Sequence, residues 1–262
     1  MMFNAKVIGA VVVLGLGLPM MASAATINIT YSSYTNSSST IAAITARDAF
    51  INGPATEEDF ERLTACQSQT VTSSCANTTI VTGLGTFKGI GPGEVPLANL
   101  KNDSQVQPFA GIVVRTNTPN PFGRFNVTPG GANWLDSNDM AGILWTLAAP
   151  AGHVFDKIAF MLTDLDDVRE FKFRISANDQ TAVRRPGAAN LGNGALTLVT
   201  MSFDEPVDFL QISMTNGLGD GFGFDGARAS FAPSPVPLPA SGLLLLGGIG
   251  LFAALKRRRR SA

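Results

Sequence analysis

Three aspartates that lie close together could supply oxygen ligands to a metal ion. Asp164, Asp166 and Asp167 fall within four consecutive positions, between two stretches that alternate as strands do. Carboxylate oxygens suit Ca²⁺, but the Gly and the distal Glu of an EF-hand loop are absent. The stretch therefore predicts either a Ca²⁺ site or an Asp-rich turn whose side chains hydrogen-bond their own backbone.

A glycine-rich stretch at 219–226 reads G-D-G-F-G-F-D-G and opens the last predicted strand. Together with the Asp-rich turn, it resembles the ending of jelly-roll modules in exported adhesins and carbohydrate-binding proteins, whose final strands read D-G-F-G-x-D. The resemblance implies that Asp225 is a structural Ca²⁺ ligand, although Gly226 stands where Asp or Asn usually follows. The alternative is a tight glycine turn that leads into a strand.

One tryptophan stands in a polar stretch. Residues 130–139 read G-G-A-N-W-L-D-S-N-D, so Trp134 lies among amides and carboxylates. Such a loop is typical of a sugar-binding platform, because a pyranose presents C–H groups to an aromatic ring and hydroxyls to polar neighbours. The alternative is a core position, which the alternating strand around Trp145 predicts for that second tryptophan.

Residues for catalysis are few. The sequence has one histidine, His153, and no G-x-S-x-G motif, so a Ser–His triad is not supported. No phosphate-cradling glycine loop precedes a helix, which argues against a nucleotide cofactor. A glycosidase needs two carboxylates ~5 to 10 Å apart, and no motif selects such a pair among the 20 acidic residues. We therefore expect a non-enzymatic protein, with a secreted glycan hydrolase as the alternative.

The only two cysteines, Cys66 and Cys75, are separated by eight residues. In an oxidising compartment this spacing predicts one small disulfide loop. A Zn²⁺ site is disfavoured, because two thiols and His153 do not complete a zinc shell.

The elements that position these residues are predicted to be mostly strands. Alternating segments recur from residue 78 onward, with Gly, Pro or Asn about every ten residues. In 170–175, for example, Phe171, Phe173 and Ile175 alternate with charged residues. The pattern favours a mainly β fold, an antiparallel β-sandwich of the jelly-roll type. The predicted strands are 78–87, 109–115, 122–127, 141–147, 154–163, 168–176, 195–203, 207–215 and 222–231.

Helical signals occur before these strands. Apolar residues at helical spacing predict a helix over 40–52, and 57–63 is predicted to be a second short helix or a strand. The acids of the second segment are interpreted as a solvated face; they are Glu57, Glu58, Asp59 and Glu61.

Residues 1–24 have the features of a secretory signal peptide. Lys6 precedes an apolar run at 7–18, and residues 22–24 form an A-x-A cleavage site for signal peptidase. An uncleaved membrane helix is the less favoured alternative, because the apolar run is short. The sequence therefore predicts export.

The C-terminal segment is predicted to anchor the protein in the inner membrane. The apolar stretch 238–255 spans about 27 Å as a helix, against a hydrocarbon core of ~30 Å. By the positive-inside rule, the cations after it place the tail in the cytoplasm and the domain outside. A buried helix of a soluble fold is the alternative. The five cations are Lys256, Arg257, Arg258, Arg259 and Arg260.

The order of a short Pro motif, a spanning segment and an Arg cluster resembles the PEP-CTERM sorting signal of exported bacterial proteins. The resemblance implies recognition by an exosortase-type transpeptidase, removal of the tail and release or re-attachment at the cell surface, often in bacteria that make exopolysaccharide. The motif is similar to the VPLPA variant of that signal; its residues are Val236, Pro237, Leu238, Pro239 and Ala240.

The predicted exported part is acidic. Residues 25–235 contain 13 Lys and Arg against 20 Asp and Glu, a net charge of −7, which does not suit nucleic acid. We expect a signal peptide (1–24), one β-sandwich domain (25–232) and a sorting signal (233–262). The expected function is that of an exported, membrane-anchored surface protein, with a periplasmic domain before processing. It is expected to be structural or to bind polymer, such as exopolysaccharide, in extracellular matrix or biofilm.

Overall fold

The structure is a computed structural model in which part of the chain is described. The described residues are 26–35, 39–67, 75–91, 111–116, 123–138, 140–165, 171–177, 180–184, 194–215, 221–235 and 256. The predicted signal peptide, the sorting motif at 236–240, the apolar stretch at 238–255 and the arginines at 257–260 lie outside them, as do Asp166 and Asp167.

The described chain contains one helix and thirteen strands. Helix α1, Thr40–Phe50, agrees with the helix predicted over 40–52. The strands are β1 Ile27–Tyr34, β2 Thr56–Glu58, β3 Thr79–Thr82, β4 Gly85–Ile90, β5 Val113–Thr116, β6 Asn133–Asp136, β7 Gly142–Ala148, β8 His153–Thr163, β9 Lys172–Ala177, β10 Gln180–Arg184, β11 Leu196–Phe203, β12 Phe209–Thr215 and β13 Gly223–Pro233.

These strands form two antiparallel sheets. The first, which we name the covered sheet, has the order β1-β11-β8-β13-β6-β5, and β2 pairs with β13. The second, the open sheet, has the order β10-β9-β12-β7-β4-β3. The prediction of a mainly β, antiparallel fold is confirmed.

Aromatic side chains fill the space between the sheets. The rings of Phe87 and Trp145, from the open sheet, stack with their centroids 5.2 Å apart. Phe224, from the covered sheet, meets Trp145 edge to face at 5.1 Å and stacks on Phe160 at the same distance. The indole N–H of Trp145 donates to the Leu84 carbonyl at 2.8 Å, so this buried polar atom is satisfied. Trp145 is therefore a core residue, as predicted.

The outer faces of the two sheets differ. On the covered sheet, α1 and residues around Val127 pack over a second apolar cluster, which contains Ala159, Met161, Leu196 and Leu198. On the open sheet, burial alternates along β9 and β12; β12 buries Leu210, Ile212 and Met214 and leaves the residues between them half-buried or exposed. One sheet thus has two apolar faces and the other has one.

The strands also define two ends of the domain. Ile27, Ala148, His153 and Pro233 lie at one end, which we name the short-turn end because turns 83–84, 149–152 and 204–208 join strands there. The strand ends Asp136, Thr163, Thr215 and Gly223 lie at the opposite end. The first strand of the domain therefore begins, and the last strand ends, at the short-turn end.

The structure differs from the predicted elements in several places, among them β6 and β10, which are strands where none was predicted. Residues 78–87 form two strands around a turn rather than one strand, and 123–127 form no strand. Residues 57–63 form the end of β2 and a turn in which Phe60 has φ 59°. A bulky residue in this left-handed region is uncommon, and a residue at positive φ interrupts a right-handed helix. Of the two predicted alternatives only the strand forms, and only at 57–58.

Candidate functional site

Cys66 and Cys75 form a disulfide, with Cα atoms 5.5 Å apart. The Cys66 N–H donates to the Val114 carbonyl at 2.8 Å, and Asn77 pairs with Ile112 on the same strand. The disulfide therefore holds two segments along β5, which would otherwise be an exposed edge of the covered sheet. Its position indicates a structural role.

Asp225 is a buried carboxylate at an irregularity in β13. Its Oδ2 accepts hydrogen bonds from the N–H groups of Val127 and Thr128, at 2.8 and 3.1 Å. Its Oδ1 accepts the N–H of Gly226 at 2.7 Å, and the Thr128 hydroxyl lies 3.3 Å from both oxygens. Asp225 thus connects the covered sheet to the segment that packs on its outer face.

Gly226 makes this connection possible. The register of β13 against β8 shifts between Asp225 and Arg228, and Gly226 has φ +59°, which favours glycine. The Gly226 carbonyl accepts a hydrogen bond from Arg47 Nη1 of α1 at 2.9 Å. The bulge therefore holds both covering elements, α1 and the segment at 127–128.

Burial raises the pKa of Asp225 to about 7, against the lowering effect of the hydrogen bonds from Val127, Gly226 and Thr128. Arg47 also approaches this site; its Nη1 lies 3.1 Å from Glu57 Oε1 as well as contacting Gly226. Asp225 therefore titrates near neutral pH, at the point where α1 and the segment at 127–128 are bonded to the covered sheet.

A second buried set of charges, which we name the ion network, consists of Arg115, Arg124, Asp136 and Asp164. Arg115 Nε lies 2.9 Å from one oxygen of Asp136, and Arg124 Nη1 lies 3.0 Å from the other. Arg124 Nε lies 3.6 Å from Asp164 Oδ2. Asp136 and Asp164 are at most 1% exposed. The network links β5, β6 and the end of β8.

The surrounding backbone is fitted to the network. The N–H of Asn138 donates to Asp136 at 2.9 Å, and the N–H of Gly194 donates to Asp164 at 3.1 Å. A Cβ at Gly221 would lie 2.5 Å from the Arg124 guanidinium carbon, so any other residue there would displace the guanidinium from its ion pairs. Hydrogen bonds and ion pairs together offset the cost of burying these charges.

The predicted Ca²⁺ ligands are not brought together among the described residues. Asp164 bonds to Arg124 and Gly194, whereas Asp225 bonds to Val127, Thr128 and Gly226. Within the described chain, no three His, Cys, Asp or Glu side chains form a group suited to a metal ion. Asp225 therefore serves as a hydrogen-bond acceptor at the bulge in β13, and Asp166 and Asp167 lie outside the described residues.

The prediction that Trp134 forms a sugar-binding platform is wrong. Trp134 lies in β6, not in a loop, and is only 1% exposed. Its ring lies against Gly223, where an added Cβ would come within 3.2 Å of it. A ring buried in this way cannot stack on a sugar.

The interpretation of residues 57–61 as a solvated face is also wrong for Glu58, whereas Glu61 is exposed but still bonds backbone. Glu58 is 8% exposed and accepts the N–H groups of Phe60 and Gly83, at 2.9 and 3.1 Å. Glu61 accepts the N–H of Asn133 at 2.6 Å and that of Ala132. Within a cluster of acids, the sequence shows no pattern that distinguishes a solvated carboxylate from one that accepts hydrogen bonds from backbone groups distant in sequence.

The outer face of the open sheet is the main accessible surface that the sequence reasoning missed. Lys88, Leu144, Ser213 and Arg174 lie in one row across β4, β7, β12 and β9. Lys88 and Arg174 are exposed, and Leu144 and Ser213 are half-buried. Phe209, 47% exposed, is the one exposed Phe or Trp in the described chain. This face could have been found from the strand alternation, by asking which residues occupy the polar positions.

Comparison of the chain with models of protein families and with the curated proteins gives no match. Among the described residues, no helix is long and apolar enough to cross a membrane. The apolar stretch predicted to do so, 238–255, is not part of that set.

Proposed function

We propose that this chain is an exported, membrane-anchored surface protein, sorted by an exosortase-type transpeptidase, that acts structurally or binds extracellular polymer. The observation that carries the proposal is the order of the C-terminal sequence: the Pro motif at 236–240, the apolar stretch at 238–255 and five cations at 256–260. The signal peptide at 1–24 supports export by signal peptidase.

The exit points of the domain support this arrangement. The Thr26 carbonyl accepts the N–H of Asp204 at 3.2 Å, and the N–H of Ser234 donates to Gly152 at 2.9 Å. Both terminal segments therefore leave from the short-turn end. A domain anchored through residue 235 would keep that end near the inner membrane and present its sheet faces and its opposite end to the surroundings.

The disulfide also supports export. Disulfides persist in oxidising compartments and are rare in the cytosol. The bond between Cys66 and Cys75 holds the edge of a sheet, which is a structural use suited to a periplasmic or extracellular protein.

We infer that strands β6 to β13 form a jelly roll. Consecutive strands alternate between the sheets, except that β9 and β10 are neighbours in the open sheet, and the two orders are β6-β13-β8-β11 and β7-β12-β9-β10. Two four-stranded sheets with this interleaved order make up a jelly roll, a fold common among binding modules. The fold by itself does not specify an activity.

A secreted glycan hydrolase is the alternative function, and it needs two accessible carboxylates. Asp136 and Asp164 are buried and share Arg124, so their environment suits structure better than acid–base chemistry. Release of reducing ends from a panel of glycans by the purified chain would support the hydrolase and contradict the binding role.

The sorting proposal is tested by replacing Pro237 and Pro239 with Ala. We expect the variant to keep its C-terminal tail and to remain in the inner-membrane fraction, as measured by intact mass and by fractionation. Pro235→Ala, immediately before the motif, is the matched control and is expected to be processed normally. Unchanged mass and surface location in the double variant would contradict sorting and leave simple anchoring.

A further inference from the structure

The open sheet has a charge opposite to that of the domain. Its six strands contain four Lys or Arg residues, Lys88, Lys172, Arg174 and Arg184, and no Asp or Glu. The strands of the covered sheet contain five acids and three cations. Because residues 25–235 carry a net charge of −7, the open sheet is a basic face on an acidic protein.

Two of these cations, Lys88 and Arg174, point away from the core. Lys88 follows the buried Phe87 on β4, and Arg174 lies between the buried Phe173 and Ile175 on β9, so strand alternation places both side chains on the outer face. In the described chain, neither forms a salt bridge, although Arg47, Arg115, Arg124 and Arg228 all do. Both charges are therefore available to a partner.

The spacing of the charges favours a sparsely charged polymer. Lys88 and Arg174 are separated by three strand steps, ~14 Å. Double-stranded DNA carries one charge per ~1.7 Å and is bound by clustered cations. Two cations at this distance, on a protein of net negative charge, instead match a chain with well-separated carboxylates.

The remaining side chains suit a sugar. Of the two positions between the cations, Ser213 carries a hydroxyl and Leu144 is apolar and half-buried. The neighbouring row adds two hydroxyls and an amide, from Thr86, Thr146 and Gln211. These polar groups can donate to and accept from sugar hydroxyls. Phe209 lies on the same face as Gln211 and Ser213, because these residues are two positions apart along β12 and side chains alternate between the faces of a strand. Its exposed ring offers the apolar surface that the C–H face of a pyranose needs.

We propose that the outer face of the open sheet binds an acidic, carboxylate-bearing polysaccharide, with Lys88 and Arg174 holding carboxylates and Phe209 contacting a sugar ring. This inference rests on the proposed display of the domain at the cell surface. It names the class of polymer and the surface, neither of which follows from the sorting signal.

The test measures binding of the purified full-length chain in detergent to immobilised alginate. Lys88→Gln and Arg174→Gln are each expected to weaken binding about fivefold, as is typical of one exposed ion pair. Ser213→Glu, which puts a carboxylate in the middle of the row, is expected to abolish it. Arg174→Lys keeps the charge and is expected to retain most of the affinity. Binding should weaken as salt increases.

Arg62→Gln is the matched control, because it removes one exposed cation from a turn outside the open sheet. It should leave binding unchanged; an equal loss would show that only net charge matters and would overturn the proposal. Equal or tighter binding of neutral dextran or of duplex DNA would overturn it too, as would no binding of alginate. These outcomes are independent of processing, so normal sorting without alginate binding would contradict this inference alone.

Discussion

In both sheets, successive side chains along a strand point to opposite faces, but the outer faces of the two sheets differ in burial. In the covered sheet, the central strand β8 is buried continuously from Ile158 to Thr163, because the core lies on one side and α1 on the other. In the open sheet, β12 buries every second residue. The comparison teaches that one sheet is built to hold other parts of the chain, whereas the other keeps a polar face accessible.

The charges follow the same division. The buried ions of the described chain are in the covered sheet and the segments that touch it: Asp225 fastens the covering segment, and the ion network ties β5, β6 and β8. The charges on the open sheet are exposed at Lys88 and Arg174. Buried charges here serve the fold, whereas the exposed charges of the open sheet are accessible to solvent.

The largest expected difference between the sheets comes from placing the same charge on each outer face. Ala159→Glu on β8 buries an unpaired carboxylate beneath α1, where Ala159 is 0% exposed, and should cost more than about 4 kcal/mol of unfolding free energy. Ser213→Glu on β12 lies beside Arg174 on the open face and should change stability by less than about 1 kcal/mol. Urea denaturation of both variants measures the difference.

Equal losses in the two variants would break the comparison, because they would show that the open face is covered in solution. Ala159→Ser serves as the control for size. It adds one hydroxyl at the same position and should cost much less than the glutamate, since no charge is buried.

Much of this architecture could be predicted from sequence, because most strands show the alternation of apolar and polar residues, with a period of two, that is typical of strands. The predicted strands over 154–163, 195–203 and 207–215 coincide closely with β8, β11 and β12. Strand 133–136 was missed because Trp134 and Leu135 are flanked by Asn and Asp, which favour loops by propensity. Those polar residues are buried and bonded within the fold, as when Asp136 binds two arginines.

The candidate site was less predictable than the fold. Arg124 and Asp164 are 40 residues apart, and no local spacing relates them. Their pairing depends on the sheet order, which brings the end of β8 next to β13 and β6. The basic face could be predicted in part, since Lys88 and Arg174 occupy the polar positions of strands that alternate in sequence. Which strands lie side by side on that face could not, because they are distant in sequence.

Asp225 allows a second test of the comparison, through the pH dependence of the unfolding free energy. Its folded pKa of about 7 lies above the ordinary value of 3.8, so the folded protein holds a proton that the unfolded chain releases between these values. Stability from this group is present below pH ~4 and is lost as pH rises to ~7. The loss should be on the order of 2 to 4 kcal/mol and should be absent in Asp225→Asn.

The measurement is the difference in unfolding free energy between wild type and Asp225→Asn, from about pH 4.5 to about pH 8. Asp208→Asn, at an exposed position on the turn before the open sheet's β12, is the matched control and should show a constant difference. If the difference for Asp225→Asn were constant as well, the hydrogen bonds from Val127, Thr128 and Gly226 would outweigh burial and keep the carboxylate ionised.

The disulfide gives the smallest of these effects and probes the edge of the covered sheet. Cys66→Ser with Cys75→Ser opens a ten-residue loop and should lower the unfolding free energy by about 2 to 3 kcal/mol, because the unfolded chain gains conformational freedom. Since the bond lies along β5 of the covered sheet rather than on the outer face of the open sheet, alginate binding by the folded variant should be unchanged. Chemical denaturation and the same binding assay would check both statements. A loss of binding at full folding would show that the covered sheet's edge contributes to recognition, and the separation of a structural sheet from an accessible one would then fail at that edge.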